Sequence, residues 1–310
     1  MSLAPEQVDL SVKVGALPLT SPVLTASGCF GYGLEYADLL DYSQLGGLCT
    51  KGLSLAPRPG NPPPRITETA AGMLNAIGLE NIGIEAFLAE KLPGLEGIAP
   101  RVIANLFGTE PDHYAALAEA CEPHARIDAV ELNISCPNVK AGGVELGLDP
   151  RIAAEVTAGV RAATRKPVWV KLSPNAGDRI VEVAAAVVEA GADALTLINT
   201  ISGMAIDVER RRPVLTNVTG GLSGPAIKPL ALRLVHRVHQ AVDAPLVGIG
   251  GIATAEDAIA FLLAGASAVQ VGTAVFADPT VPEKINAGLR EYCARHGIGR
   301  VEELTGALQS

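Results

Sequence analysis

Short apolar runs alternate with alanine-rich stretches along most of this 310-residue chain, and this alternation limits the possible folds more than any other feature. The stretches 180–190 and 255–264 carry apolar residues at the i, i+3, i+4 spacing of a helix with one buried face. The strand-like runs are Val23–Ser27, Gly47–Lys51, Arg101–Leu106, Ala129–Ile134, Val168–Leu172, Ala194–Ile198, Leu246–Ile249 and Ala268–Val271. Eight successive strand-then-helix units predict an α/β fold, the (β/α)₈ or TIM barrel.

An open, doubly wound sheet has the same order of elements and is the competing architecture. It is disfavoured because polar and glycine residues recur at the end of nearly every predicted strand, and only a barrel gathers those ends into one ring. Before the first strand, residues 8–14 alternate with period 2 and residues 15–19 follow them, which predicts a short N-terminal β-hairpin. No linker divides the chain, so we expect residues 1–310 to form one domain with inserted loops at the C-terminal face. The proline-rich stretch 56–65 predicts a stiff loop after the second strand.

Composition and charge exclude several classes of protein. Hydrophobic residues make up 48% of the chain but aromatic residues only 4%, so the core must be mostly aliphatic, which suits a parallel sheet buried on both faces. A net charge of −9 argues against a nucleic-acid partner, and the basic run 210–212 is more typical of a solvated loop or partner contact. We expect no membrane span and no signal peptide. Five cysteines without a CxxC pair argue against a disulfide framework or a metal site and favour the cytoplasm.

Glycine-bearing segments at the late strands indicate a phosphate site. They are 220–224, 248–251 and Gly272-Thr273. Backbone amides there can point at an anion, and barrels often hold a ligand phosphate after strands 7 and 8. The alternative is that the glycines only form tight turns. No GxGxxG follows the first strand, which disfavours a Rossmann site. Lys171, at the end of the fifth strand, needs an electron-rich partner such as a flavin edge, or a barrel carboxylate such as Glu131 or Asp193.

Asparagines recur at the same predicted rim. Asn105, Asn133 and Asn199 end the third, fourth and sixth strands, and Asn75 lies in the segment 73–79, between helix-like segments. An amide side chain supplies a donor and an acceptor without charge, which suits an amide- or imide-bearing ring. A single asparagine at a strand end is usually a turn or cap residue, but four of them favour a ligand. Lys51 adds a cation for a carboxylate or phosphate.

Cys136 follows the fourth strand and precedes Pro137 and a lid-like loop with a glycine hinge, residues 138–143. Buried structural cysteines are common, and we expect the other four to be of that kind. No histidine in the loop supports a Cys–His nucleophile, so a proton-abstracting thiolate fits better.

Together these segments resemble the class 1 dihydroorotate dehydrogenases, most closely the class 1B catalytic subunit, from about residue 8 to residue 280. The matching segments are 51–52, 60–62, 75–79, 133–140, 170–175, 198–200, 220–229, 250–251 and 272–273. The cysteine segment 133–140 and the glycine segment 220–229 are the most specific of them.

The resemblance implies FMN-dependent oxidation of dihydroorotate to orotate in pyrimidine biosynthesis. It implies that Cys136 removes a proton from C5 of the substrate while a hydride leaves C6 for FMN N5. The implied substrate-binding residues are Lys51, Asn75, Ala76, Ile77, Gly78, Leu79, Asn133, Asn199 and Thr200. The implied FMN-binding residues are Ser27, Lys51, Gly52, Asn105, Asn133, Lys171, Ile198, Gly224, Gly250, Gly251, Gly272 and Thr273.

The class 1B resemblance also implies a partner. This resemblance depends on the segment 139–143 and on the Asn199-Thr200 pair. It implies a heterotetramer, in which a homodimer core binds a subunit that carries FAD and a [2Fe–2S] cluster and reduces NAD⁺. A class 1A enzyme would instead reduce fumarate as a homodimer. Two other possibilities stay open: an FMN barrel acting on another dihydropyrimidine, for which Lys51 would lose its role, and a non-redox barrel that binds a sugar phosphate. A purely structural barrel would leave Lys51, Lys171 and Cys136 unexplained.

Overall fold

The computed structural model describes residues 3–135, 137–138 and 144–309, and its centre is a closed barrel of eight parallel strands. The barrel strands are β1 (Val23–Thr25), β2 (Gly47–Cys49), β3 (Arg101–Leu106), β4 (Ala129–Asn133), β5 (Val168–Lys171), β6 (Ala194–Leu197), β7 (Leu246–Ile249) and β8 (Ala268–Val271). Each strand pairs with the next in the chain, and β8 closes the ring by pairing with β1. The predicted barrel is therefore confirmed, with several strands ending one or two residues earlier than expected.

Amphipathic helices cover the outside of the barrel. The helix Ile180–Glu189 buries Ile180, Val183, Ala184 and Val187, the single face that its sequence spacing predicts. The longer helices are Pro111–Cys121, Pro150–Ala163, Ile180–Glu189, Lys228–Ala241, Ala255–Leu263 and Val281–His296. Shorter helical turns are Pro5–Gln7, Tyr42–Gln44, Ile84–Ala86, Phe87–Lys91, Leu92–Leu95, Leu146–Leu148, Pro174–Arg179, Pro225–Ile227, Ala274–Ala277 and Val301–Leu304. In the described part of the chain, no helix combines the length and the apolar character of a membrane span.

The N-terminal hairpin pairs Val12–Val14 with Leu17–Leu19 in antiparallel register, as predicted. It lies at the amino-terminal end of the barrel, because a side-chain carbon at its turn residue Gly15 would lie 3.1 Å from the carbonyl oxygen of Asp193, just before β6. The hairpin belongs to the main hydrophobic core, which includes residues from Val8 to Leu304.

A second, four-stranded antiparallel sheet is built from two insertions at the opposite end. Ile66–Thr69 and Gly72–Asn75 follow β2, while Ile201–Met204 and Thr219–Ser223 follow β6. Thr219–Ser223 pairs with both Gly72–Asn75 and Ile201–Met204. Two expectations were therefore wrong: the segment 73–79 begins as a strand and does not lie between helices, and most of the glycine segment 220–224 is a strand instead of a loop. Two short pairs complete the fold, Ile206–Asp207 with Arg212–Pro213 and Pro137–Asn138 with Val144–Glu145.

Candidate active site at the carboxyl ends of the strands

The predicted site residues meet at one rim because all eight barrel strands run in the same direction. Asn133 and Lys171 are the last residues of β4 and β5 and are directly paired in the sheet. Ser27, Lys51 and Asn199 each lie two residues beyond the end of a strand, β1, β2 and β6 respectively. The second sheet begins at the same rim, since Ile201 follows β6 after three residues.

A row of polar groups connects four predicted substrate-binding residues. The Asn199 amide nitrogen donates to Asn133 Oδ1 at 3.2 Å, and Asn199 Oδ1 accepts from the Thr200 backbone N–H at 2.8 Å. Thr200 in turn packs against Gly221, where an added side-chain carbon would lie 2.1 Å from Thr200 Oγ1. The carbonyl oxygen of Gly221 accepts from Asn75 Nδ2 at 3.4 Å. The row thus joins the end of β4 to the second sheet.

The predicted segment Ala76, Ile77, Gly78 and Leu79 continues from the strand Gly72–Asn75 and is held by Asn61, to which the sequence assigned no role. Asn61 Nδ2 donates to the Ala76 carbonyl at 3.0 Å, and the Asn61 N–H donates to the Ile77 carbonyl at 2.9 Å. Gly78 has φ +78°, and a side-chain carbon there would lie 2.6 Å from Asn61. Glycine is therefore required at Gly78 both by its conformation and by this close approach.

Lys51 is a cation without a compensating acid among the described residues. Its backbone N–H donates to the Gly31 carbonyl at 2.7 Å, and no carboxylate of the described residues lies within ion-pair distance of its ammonium. Burial raises the pKa of the Cys29 thiol to about 11, and the ammonium groups of Lys171 and Lys51 both act against that rise. Both cations therefore lie near the half-buried Cys29 thiol, and Lys51 can bind an anionic group of a ligand.

Lys171 lies inside the barrel, with its side chain almost completely buried. Its ammonium donates to Ser27 Oγ at 3.2 Å and lies 3.9 Å from Glu131 Oε1. Of the two barrel carboxylates considered from the sequence, Glu131 is the neighbour, because Asp193 instead pairs with Arg161 at 2.9 Å. The distance to Glu131 is too long for a hydrogen bond, so the ammonium keeps donors for another acceptor.

Asn105 presents an unused acceptor beside Lys171. Its Nδ2 donates to Glu131 Oε1 at 2.7 Å, while its Oδ1 is buried and has no hydrogen-bond partner in the described part of the chain. A side-chain carbon at Gly52 would lie 3.0 Å from that oxygen, so glycine leaves space beside it. Ile198 is buried and its N–H donates to the Ile249 carbonyl at 3.0 Å, which ties the end of β6 to β7.

The predicted phosphate-binding glycines come from distant parts of the chain and meet. Gly250 and Gly251 follow β7 with φ +123° and +74°, and a side-chain carbon at Gly251 would lie 2.8 Å from the Gly224 carbonyl oxygen. Gly272 follows β8 and lies beside Cys29. Thr273 Oγ1 donates to Ser223 Oγ at 2.7 Å, a contact that the sequence did not predict. At Gly224 and Gly251 the neighbouring backbone approaches so closely that only glycine fits.

The predicted base, Cys136, lies outside the described residues, as do residues 139–143 of the predicted lid loop.

The polar contacts in the interior of the barrel were not predicted from the sequence. There, Gln270 Nε2 donates to Glu131 Oε2 at 2.8 Å. A usable signal was present, because Glu131 lies two residues before Asn133 in an apolar strand and so faces the same side. Within the described ranges, no group of three or more His, Cys, Asp or Glu side chains could hold a metal ion.

Comparisons with known proteins identify the family. A sequence profile described as Dihydroorotate dehydrogenase matches residues 9–293. The chain belongs to the dihydroorotate dehydrogenase family. Its relatives include two proteins named "Dihydroorotate dehydrogenase B (NAD(+)), catalytic subunit". The one from Geotalea daltonii is 56% identical over 301 residues, covering 97% of this chain and 98% of the relative. The one from Geobacter sulfurreducens is 55% identical over 304 residues, covering 98% and 99%.

Solved structures agree with the fold of this dihydroorotate dehydrogenase family member. A dihydroorotate dehydrogenase from Eimeria tenella, crystallised with ferulenol, superposes with a TM-score of 0.81 and covers 96% of this chain and 88% of its own. Its sequence identity is only 21%, so the comparison supports the barrel architecture alone. The profile match and the two relatives confirm, at the level of the family, the resemblance stated from the sequence.

Proposed function

We propose that this protein oxidises dihydroorotate to orotate in pyrimidine biosynthesis, as a class 1B catalytic subunit. One observation carries the proposal: a row of amide side chains, Asn75, Asn199 and Asn133, lies at the same rim as Lys51. Among the described residues, no acid pairs with the Lys51 ammonium. Dihydroorotate is a cyclic imide with one carboxylate. Amide side chains can bind both the N–H and the carbonyl groups of such a ring, and a cation can bind its carboxylate.

FMN fits the remaining residues of the site. Asn105 Oδ1 is a buried acceptor without a described partner, and Lys171 has spare donors, so together they match the donor and acceptor groups at the edge of a flavin. The backbone at Gly224, Gly251 and Gly272 carries no side chains, so its amides would let a phosphate approach closely. When bound, FMN would supply the acceptor for the hydride that leaves the substrate.

The chain's own residues would bind the substrate and move its proton. Lys51 would bind the carboxylate, and Asn133 and Asn199, already fixed to each other, would orient the ring with little loss of side-chain entropy. Cys136 follows β4 three residues after Asn133, and we propose that its thiolate takes the proton from C5 as a general base.

The decisive experiment is to purify the chain and measure its absorbance and turnover. We expect a yellow protein that reduces an artificial electron acceptor with dihydroorotate and does so much more slowly with dihydrouracil, which lacks the carboxylate. A colourless protein that cannot be reconstituted with FMN would refute the proposal. Equal turnover of the two substrates would instead indicate an enzyme for another dihydropyrimidine.

We also propose that electrons pass to NAD⁺ through a partner that carries FAD and a [2Fe–2S] cluster. The names of the relatives support this, because they describe catalytic subunits of an enzyme that is named with NAD(+). Copurification with an iron–sulfur flavoprotein is the expected result, whereas fumarate reduction by the isolated chain would indicate class 1A.

Three further proposals concern organisation. The main hydrophobic core runs from Val8 to Leu304, which supports one domain over residues 1–310. Ile206 and Val208, beside the second sheet, are 59% and 75% exposed, and this apolar surface supports a homodimer core within a heterotetramer. The four described cysteines are free thiols, in keeping with the reducing cytoplasm. Light scattering of the isolated chain and of its complex tests the assembly.

A further inference from the structure

The completely buried carboxylate of Glu131 is the centre of a polar cluster inside the barrel. Its Oε1 accepts from Asn105 Nδ2 at 2.7 Å and from the Cys49 thiol at 3.2 Å, and its Oε2 accepts from Gln270 Nε2 at 2.8 Å. These partners come from β3, β2 and β8, and Lys171 on β5 lies 3.9 Å away. A buried charge of this kind is seldom needed for stability, because well-packed apolar residues often serve as well or better. Its presence therefore points to another purpose.

The carboxylate determines which way two neighbouring amides face. An ionised carboxylate only accepts hydrogen bonds, so Asn105 and Gln270 must both turn their NH₂ groups toward Glu131. Their oxygens, Asn105 Oδ1 and Gln270 Oε1, are consequently directed away from it. Both oxygens are buried and have no partner among the residues that the structure describes. Because leaving such an oxygen unpaired is costly, Asn105 Oδ1 is positioned for a hydrogen-bond donor of a ligand.

The same carboxylate balances the charge of Lys171 without using its hydrogen-bond donors. At 3.9 Å the contact is an ion pair and too long for a hydrogen bond. An ammonium group has three donors, and Ser27 Oγ takes one of them at 3.2 Å. Across the described ranges the structure gives Lys171 no other acceptor, so donors remain for a ligand.

We propose that Glu131 is a positioning residue of the cofactor site, holding Asn105 with its oxygen and Lys171 with its free donors toward the flavin. The inference rests on the proposed function, because it needs FMN in this site. The edge of a flavin's pyrimidine ring carries both acceptors and a donor, which Lys171 and Asn105 complement. Glu131 also offsets part of the positive field of Lys171, so it limits how strongly the site favours reduced, anionic FMN.

The test is the midpoint potential of bound FMN in Glu131→Gln, which removes the charge and keeps the shape. With the carboxylate gone, Lys171 loses its ion pair with Glu131. We expect reduced FMN to be favoured about tenfold more over oxidised FMN, which raises the two-electron midpoint potential by about 30 mV. A purely structural role would lower the melting temperature and leave the midpoint unchanged. An unchanged or lowered midpoint overturns the inference.

Two further variants complete the test. Thr196→Val is the matched control, because it also removes a buried polar group from the barrel interior. The Thr196 hydroxyl has no partner among the described residues. We expect it to keep the wild-type midpoint, and an equal rise there would overturn the specific role of Glu131. If Glu131→Gln does not fold, Glu131→Asp decides, because it keeps the charge but withdraws it from Asn105. An FMN dissociation constant about tenfold higher supports the inference, and an unchanged one overturns it.

FMN binding by the wild-type protein distinguishes a failure of the proposed function from a failure of the role of Glu131. Wild-type protein that does not bind FMN refutes the proposed function. Wild-type protein that binds FMN, together with Glu131→Gln of unaltered midpoint potential, refutes only the role of Glu131.

Discussion

Replacing Lys51 by methionine isolates the cation that we assign to the substrate carboxylate. Methionine keeps most of the side-chain length and removes the charge. Within the described ranges Lys51 has no acidic partner to lose, and its backbone bond to Gly31 remains. We therefore expect the free energy of unfolding to change by no more than about 0.5 kcal/mol. A hydrogen bond to a charged group contributes about 1.5–3 kcal/mol, so orotate should bind roughly 10- to 150-fold more weakly.

The assay is calorimetric titration of orotate into the FMN-loaded protein, with flavin absorbance recorded first to correct for lost cofactor. Lys13→Met is the matched control, because Lys13 is an exposed lysine of the N-terminal hairpin, at the other end of the barrel. It should leave both orotate affinity and stability unchanged. Unaltered orotate affinity in the FMN-loaded Lys51→Met variant would show that the carboxylate is bound elsewhere.

Three other perturbations test separate parts of the molecule. Gly251→Ala forces a side chain onto φ +74° and within 2.8 Å of the Gly224 carbonyl oxygen, so we expect a loss of about 1–3 kcal/mol in stability and lower FMN content after gel filtration. Cys136→Ala should retain FMN and lose most turnover, while Cys136→Ser should be slow and work best at higher pH in a rate–pH profile, since a hydroxyl is a far weaker acid than a thiol. Burial raises the pKa of Asp257, but the hydrogen bonds from Lys228, Ala253 and Thr254 lower it below its ordinary 3.8. This carboxylate therefore stabilises the fold above pH 3.8 and less as the pH falls through its folded pKa. Asp257→Asn should cost about 1 kcal/mol at pH 7 and progressively less below pH 4, as measured by urea denaturation.

The barrel was predictable because each of its strands can be identified from the residues of that strand alone. A continuous apolar run such as 246–249 is buried on both faces, and its neighbours in the chain are also its neighbours in the sheet. The rim residues followed from the same reasoning, since parallel strands place their ends together. Asn133 and Asn199 are 66 residues apart, yet they are hydrogen bonded to each other.

The second sheet could not be predicted in this way. Its central strands are Gly72–Asn75 and Thr219–Ser223, which are short, contain glycine and lack the β-branched pattern of an ordinary strand. They also pair across more than 140 residues, and nothing local in either segment specifies the other. The interior cluster could be predicted only in part, for a similar reason. Glu131 was identifiable as an interior carboxylate, but its partners could not be predicted because they come from four other strands.

The second sheet has a consequence for how this fold can change over evolution or by design. Its strands are supplied by the insertions after β2 and β6, which lie on opposite sides of an eight-stranded ring. Each insertion completes the hydrogen bonding of the other, so neither is an independent module. A graft that exchanges only one of them between relatives would leave an unpaired sheet edge above the barrel. Viable hybrids must therefore carry the two insertions together, although four strands, β3 to β6, lie between them in the sequence.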